Sequence, residues 1–249
     1  MAESIDISEK LLDDIRKDFR AGIKADASIN KLATKIGNGK GTQKDMAVLA
    51  DRYGIQASKA FKRNLKLAEM PNETFYWNVA EKTIKPMLES AYESINRYAA
   101  IQAKFADRKS RINIGIVRGQ DPNERIRQVM EFAVDAISQT ELDNALTDPV
   151  ISANRKFYDD FQKANAEFRN EAGFREVVVR EYDGVGLHGG KTPCDWCIDR
   201  AGTWDYSEAK ANGVFERHPG CGCTITHYTE RGTNVQTDWA SNQWNVIDV

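Results

Sequence analysis

The sequence predicts a mainly α-helical N-terminal body with long helices, followed by a small C-terminal α+β module. Through about the first 170 residues, apolar residues recur at three- and four-residue steps, and strand-like alternation is scarce. From Gly173 onward β-branched residues become frequent and a glycine-rich loop follows. We therefore expect a helical body over 1–172, an α+β module over 173–230 and a tail over 231–249 of this 249-residue chain.

Four helices are expected in the first half of the body. The first has its apolar stripe on Leu11, Leu12, Ile15, Phe19 and Ile23. A second runs from Ala27 to Ile36 and stops at a glycine-rich connection over 37–41, and a third passes through Met46, Leu49 and Tyr53. The longest spans Asn72 to Arg108 and contains Pro86, which removes one backbone donor and should kink or divide the helix.

Two more helices complete the body after an irregular, extended stretch at Ile112–Val117. Asp121 and Pro122 mark a helix start, because proline suits the first helical position. The apolar stripe that follows consists of Ile126, Val129, Met130, Val134 and Ile137, and the last helix carries Phe157, Phe161, Ala164 and Phe168. The acidic pairs Asp13-Asp14 and Asp159-Asp160 lie on amphipathic helices, and we expect both pairs to face solvent.

The C-terminal module begins with Phe174–Tyr182, a β-branched segment that predicts a strand. Cys223–Tyr228 alternates like a second strand. Between the two strands lies a loop rich in glycine around His188, and then the cysteines. The reactive side chains of the module are therefore expected on loops.

Composition and charge restrict the functional class. Hydrophobic residues make up 41% and charged residues 29%, which is typical of a folded globular protein. No apolar run is long enough to cross a bilayer, and no secretion signal is recognisable, so we expect a cytosolic protein with no membrane contact. The formal net charge of -2 gives no general attraction to nucleic acid, and we interpret the basic stretch Lys59–Lys66 as a solvated helix face.

All four cysteines of the chain fall within 30 residues, in two groups that have metal-ligand spacing. Cys194 and Cys197 are separated by two residues, so a tight turn can direct both sulfur atoms at one ion, as in zinc knuckles. The second group is His218, Cys221 and Cys223, with proline and glycine between them. Five candidates thus compete for about four tetrahedral positions. We favour Cys194, Cys197, His218 and Cys221 as ligands of a structural zinc ion, with Cys223 as an alternate ligand or a buried thiol.

Other interpretations of these residues stay open. Two disulfides, or a thiol cluster without metal, would also use four cysteines. The Pro193-Cys194-x-x-Cys197 segment matches half of the zinc deaminase signature, but the His-x-Glu half is missing upstream. A cysteine nucleophile beside a histidine, a nucleic-acid-binding zinc module, and a metal-dependent nuclease that uses His188 or His227 are the remaining alternatives. The glycine-rich segment 37–42 lacks the residues of a phosphate-binding loop and is interpreted as a helix connection.

The cysteine segment resembles the minor head proteins of tailed bacteriophages, also called minor capsid or head morphogenesis proteins. The resemblance rests on Thr192-Pro193-Cys194-x-x-Cys197, on Ala201-Gly202-Thr203-Trp204 and on Phe215-x-Arg217-His218-Pro219-x-Cys221-x-Cys223. It covers about a fifth of the chain, and Gly222 departs from it where relatives often have arginine.

The resemblance implies a non-enzymatic, low-copy component of the virion, made in the bacterial cytoplasm and located in the phage head. Its implied partners are the portal protein and the major capsid protein, with a possible homo-oligomer and a possible contact with packaged DNA during genome packaging or ejection. Cys194, Cys197, His218, Cys221 and Cys223 carry over as the metal module, and no catalytic residue does. The tail contains Trp239 and Trp244, which could anchor on a partner or on the protein itself.

Overall fold

The computed structural model describes residues 7–182, 195–218 and 221–230. Its N-terminal part is helical, with α1 Ile7–Ala25, α2 Ala27–Gly37, α3 Gln43–Asn64, α4 Trp77–Ser110, α5 Asn123–Val134, α6 Gln139–Ala145 and α7 Asp148–Glu171. The C-terminal part contains β1 Glu176–Tyr182, α8 Asp195–Arg200, β2 Gly202–Asp205, α9 Tyr206–Ala211 and β3 Cys223–Thr229. The predicted mainly α body followed by a small α+β module is confirmed. None of the helices in these ranges is both long and apolar enough to span a bilayer.

The start of α3 shows how a local sequence pattern fixes a helix end. The Thr42 hydroxyl accepts a hydrogen bond from the backbone N–H of Asp45 at 3.1 Å, and the Asp45 carboxylate accepts one from the Thr42 N–H at 2.7 Å. This reciprocal pair satisfies donors that the first turn leaves unpaired. Burial raises the pKa of Asp45, but hydrogen bonds from Lys35 and Thr42 outweigh burial and hold that pKa below its usual value.

Pro86 does not divide α4, so of the expected kink or division, the division is wrong. The helix runs without a break over 34 residues. Ile84, Met87 and Leu88 are buried around the proline. Their burial stabilises the helix across the position where proline removes one hydrogen bond.

Two further expectations in the body need correction. α5 starts at Asn123, one residue later than predicted, and the Asp121 carboxylate accepts a hydrogen bond from the Asn123 N–H at 2.9 Å. Ile137 does not extend the apolar stripe of α5, because the helix ends at Val134 and the Ile137 side chain is 87% exposed. The stretch 112–117 is irregular as expected, with a single β-bridge at Val117, and the Asn165 amide binds the backbone N–H and C=O of Val117 at 3.0 and 2.8 Å.

The chain divides into two compact units. The first comprises Met1–Thr34, Leu49–Ile95 and Asp121–Arg155, as far as these residues are described. In this unit Gly54 of α3 lies against α7, and a Cβ added at Gly54 would come within 2.7 Å of Ile151 Cα. Only glycine permits this approach of the two backbones.

The second unit comprises Lys35–Val48, Asn96–Gln120 and the described part of Lys156–Val249, and it contains the sheet. The strand order is β2-β1-β3, with both pairs antiparallel. Val178 in the central strand lies opposite Trp204 on one side and His227 on the other. A hydrophobic core joins the sheet to α7 and α9 through Ala166, Val178, Tyr206, Ala209, Val214, Phe215 and Ile225. This core holds the sheet in place and so fixes the positions of the residues at its end.

Candidate metal centre

Three elements of the second unit bring the cysteines together at one end of the sheet. Cys197 lies in α8, Cys221 lies in the loop before β3, and Cys223 is the first residue of β3. In the sheet register Cys223 faces Tyr182, the last residue of β1. Tyr182 and Trp196 pack against the three cysteines. The loop before β3 and the first residue of β3 therefore place the sulfur atoms of Cys221 and Cys223 at the end of the sheet, where strand pairing fixes their position.

The distances between the donor atoms suit a single ion. The Sγ atoms of Cys197, Cys221 and Cys223 all lie within 4.8 Å of one another. Cys197 Sγ and Cys221 Sγ are 3.8 Å apart, and two sulfurs bound tetrahedrally to zinc at 2.3 Å would be about 3.8 Å apart. His218 Nε2 adds a nitrogen donor 3.0 Å from Cys197 Sγ. The three buried cysteines are thus close enough to bind a metal ion.

The described cysteines are free thiols and are almost completely buried. The 3.8 Å between two of the sulfur atoms is far longer than the roughly 2.05 Å of a disulfide bond. Cys194, which the sequence placed among the favoured ligands, lies outside the described residues, as does His188. Cys223, which the sequence left as an alternate ligand or a buried thiol, lies inside the cluster.

Two arginines, the buried Arg180 and the largely covered Arg217, place positive charge beside the cluster. Arg180 Nη2 donates to Cys221 Sγ at 3.3 Å, and its Nη1 donates to the backbone carbonyls of Val214 and Glu216. Arg217 Nη1 lies 3.6 Å from Cys221 Sγ, and its Nη2 donates to the Cys223 carbonyl at 2.7 Å. Arginine next to sulfur favours the thiolate, which is the form that binds metal.

The pKa values of the Cys221 and Cys223 thiols are shifted in opposite directions. A hydrogen bond from Cys223 holds the pKa of Cys221 well below its usual value, although burial opposes this shift. The positive charges of Arg217 and Arg180 also lower that pKa. The same hydrogen bond, together with burial, raises the pKa of Cys223. Both shifts follow from one hydrogen bond between the two sulfur atoms, and a metal ion that binds both would displace its proton.

Asp159 is the partner that fixes Arg217. Its carboxylate receives a bidentate contact from the guanidinium, with Arg217 Nη2 3.2 Å from Asp159 Oδ1 and the second contact through Nε. The expectation that Asp159 and Asp160 face solvent is wrong, because both are buried; Asp160 accepts from Lys156 at 2.7 Å. A buried carboxylate needs a cationic partner. Asp159 of α7 therefore pairs with Arg217 at the start of the cysteine loop and does not face solvent.

Trp196 closes one side of the cluster. The guanidinium of Arg200 lies 4.0 Å from the centroid of the Trp196 ring, and that of Arg180 lies 4.8 Å away. The edge contact between Trp196 and His218, with ring centroids 5.3 Å apart, holds the imidazole beside the cysteines. These aromatic and cationic contacts were not foreseen, since they join residues that have no regular spacing in the sequence.

His227, the candidate base of a nuclease, belongs to a separate buried network. Its Nδ1 lies 2.7 Å from Glu176 Oε2, and Gln43 binds its backbone N–H and C=O at 2.7 Å each. The Thr229 hydroxyl donates to the same Glu176 carboxylate. With its imidazole buried and bonded to Glu176, His227 is held as part of the sheet and not presented to a substrate.

The residues present therefore pass a test of fit for a thiophilic ion. Three buried sulfur donors lie close enough to bind one soft ion, with the His218 imidazole beside Cys197, and the adjacent arginines would offset the negative charge that several thiolates leave on a divalent ion. Comparison of the chain with protein-family models, with curated proteins and with solved structures finds no match.

Proposed function

We propose that this chain is a structural minor head protein of a tailed bacteriophage, a low-copy component of the virion that associates with the portal and takes part in head assembly. One observation supports the proposal most strongly. The motif that carries the resemblance, Cys197 with His218, Cys221 and Cys223, is gathered into one buried cluster on a small sheet that follows a helical body. A chance run of cysteines would have no reason to converge in this way.

We assign a structural zinc ion to the cluster. Cys197, Cys221 and Cys223 would hold it, with His218 or Cys194 as the fourth ligand. Four protein ligands leave no position for water or substrate, so the ion supplies folding free energy and not catalysis. For isolated zinc modules this contribution is on the order of 10 kcal/mol. The hydrophobic core around the sheet is small, so such a contribution would add substantially to its stability.

The proposed partners follow from this role. The portal protein and the major capsid protein are the surfaces on which a minor head protein would dock, and packaged DNA is a further contact during packaging or ejection. The long helices of the body, α3, α4 and α7, offer the extended surfaces that docking on a ring requires. In this role the ion and the sheet would hold the C-terminal module in one conformation.

Quantitative mass spectrometry of density-purified particles tests the proposal. We expect the chain at a low and reproducible copy number relative to the portal and major capsid proteins. In particles from a phage with Cys197→Ser and Cys223→Ser, we expect the chain to be depleted at least about tenfold, because loss of ligands unfolds the module. Thr226→Ser, a conservative change on the same strand, serves as the control. Absence of the wild-type chain from both mature heads and assembly intermediates would contradict the proposal.

A further inference from the structure

A groove in the first unit combines an apolar floor with a basic wall. It has a volume of about 520 Å³, and its floor is formed by Phe19, Ile23, Tyr53 and Met87. The wall is formed by Arg16, Arg20 and Lys24 of α1. Residues four positions apart lie on the same side of a helix, about 6 Å apart along its axis. None of the described residues that line this basic groove is acidic.

The cations of the basic groove are available to a partner. Arg16 makes one loose contact with Asp13 at 3.8 Å, and both side chains are largely exposed, so this contact contributes little. Arg20 and Lys24 are exposed and form no ion pair with any residue in the described ranges. The groove therefore presents positive charge beside apolar surface, which is complementary to a segment that is both acidic and apolar.

The same unit carries such a segment. Residues 128–154 contain Glu131, Asp135, Glu141, Asp143 and Asp148 but no lysine or arginine. Within this stretch Ile137 is 87% exposed and Phe132 is 58% exposed, the two highest values among the exposed large apolar side chains of the described residues. We call Phe132 and Ile137, with the neighbouring carboxylates of Asp135 and Glu141, the acidic knob; Glu131 beside them is paired with Arg127. Exposed apolar side chains with a charged rim are typical of protein interaction sites.

We propose that the acidic knob of one copy of this chain docks in the basic groove of another copy. The apolar side chains of the knob would cover the groove floor, and its carboxylates would face the cations of α1. Because the two surfaces differ, the contact is heterologous, and a pair of copies joined by one contact retains one free groove and one free knob. Repetition of the contact from copy to copy builds a closed ring or an open chain. The proposal does not depend on the metal centre or on the phage assignment.

Analytical ultracentrifugation of the purified full chain tests this contact. For the wild type we expect assemblies larger than a dimer that grow with protein concentration and weaken as salt rises. A groove variant, Arg20→Glu with Lys24→Glu, and a knob variant, Phe132→Ser with Ile137→Ser, should each raise the apparent dissociation constant more than about tenfold. Lys59→Glu and Val48→Ser change an exposed cation and an exposed apolar residue elsewhere, and both should assemble like the wild type.

Mixing the two variants distinguishes this geometry from others. The groove variant still has a knob and the knob variant still has a groove, so the mixture should form a one-to-one heterodimer and nothing larger. A wild type that remains monomeric at low salt, assemblies that persist in both variants, or a mixture that stays monomeric would each overturn the proposal. Because all these measurements are made on zinc-loaded and chelator-treated protein in parallel, their failure leaves the metal assignment untouched.

Discussion

Arg217 connects the helical part of the second unit to the cysteine loop. It binds Asp159 in α7, the backbone carbonyls of Cys221 and Cys223, and the sulfur of Cys221. All these contacts are made by one side chain, which is almost fully buried. Removal of Arg217 would leave the Asp159 charge buried without its partner and the cysteine loop without its donor.

We expect Arg217→Met to lower the free energy of unfolding by about 3–5 kcal/mol, the usual cost of breaking a buried ion pair. It should also weaken zinc binding by about 10- to 100-fold, as loss of a hydrogen bond to a metal ligand commonly does. Chemical denaturation and competition with a chromophoric chelator measure the two effects.

The matched control for this change is Arg175→Met in the same module. Arg175 pairs with Asp205 and Glu230 on the exposed surface and contacts no sulfur atom of the described cysteines, so its loss should change neither stability nor zinc affinity appreciably. Equal zinc affinity in Arg217→Met and Arg175→Met would show that Arg217 does not act on the metal centre.

Some properties of the residues in the metal centre could be predicted from the sequence, and others could not. The metal-ligand spacing of the two cysteine groups indicated that Cys197 and Cys221 would gather, whereas it left Cys223 as an alternate ligand or a buried thiol. The roles of Arg180, Arg217 and Asp159 could not be predicted, since each depends on which helix or strand packs beside the loop. A buried aspartate and a solvated one look the same on an amphipathic helix until its partner is known.

At the scale of elements, the contact between α3 and α7 depends on the absence of one side chain. An alanine at Gly54 would place its Cβ 2.7 Å from Ile151 Cα and 3.2 Å from Asn154 Cβ. We expect Gly54→Ala to lower the free energy of unfolding by about 1–3 kcal/mol through overpacking, although alanine is the better helix former. Thermal and chemical denaturation measure the change.

Gly37→Ala is the control for that prediction. Gly37 is the last residue of α2, and an added Cβ would meet nothing within 4 Å. This variant should leave stability unchanged or raise it. If Gly54→Ala were as stable as Gly37→Ala, the close approach of α3 and α7 in the first unit would be wrong.

Elements with strong periodicity were predictable, and short ones were not. The stripes of α1, α3, α4 and α7 extend over several turns, so the positions of these helices follow from apolar spacing alone. α6, α8, β2 and α9 span only four to seven residues, which is too short for such a pattern. Ile137 misled the prediction because an apolar residue just beyond a helix end keeps the helical spacing without being buried.

At the scale of the whole molecule, each unit has its own chemistry. The first unit carries the basic groove and the acidic knob, and the second carries the sheet and the cysteine cluster. The sequence predicted a boundary at 172/173 from the change in composition, whereas the units combine segments distant in the sequence. Such a division arises from helices that pack across long sequence separations, and composition does not encode it.

The count of zinc ions released per chain is the measurement that tests the metal centre most directly. The purified chain is unfolded in the presence of a chromophoric chelator, and its free thiols are counted in parallel. We expect about one zinc ion per chain, loss of that ion in Cys223→Ser, and full retention in Thr226→Ser. A wild-type chain that releases no metal, or that keeps its zinc after Cys223→Ser, would contradict the assignment of this cluster as a zinc site with Cys223 as a ligand.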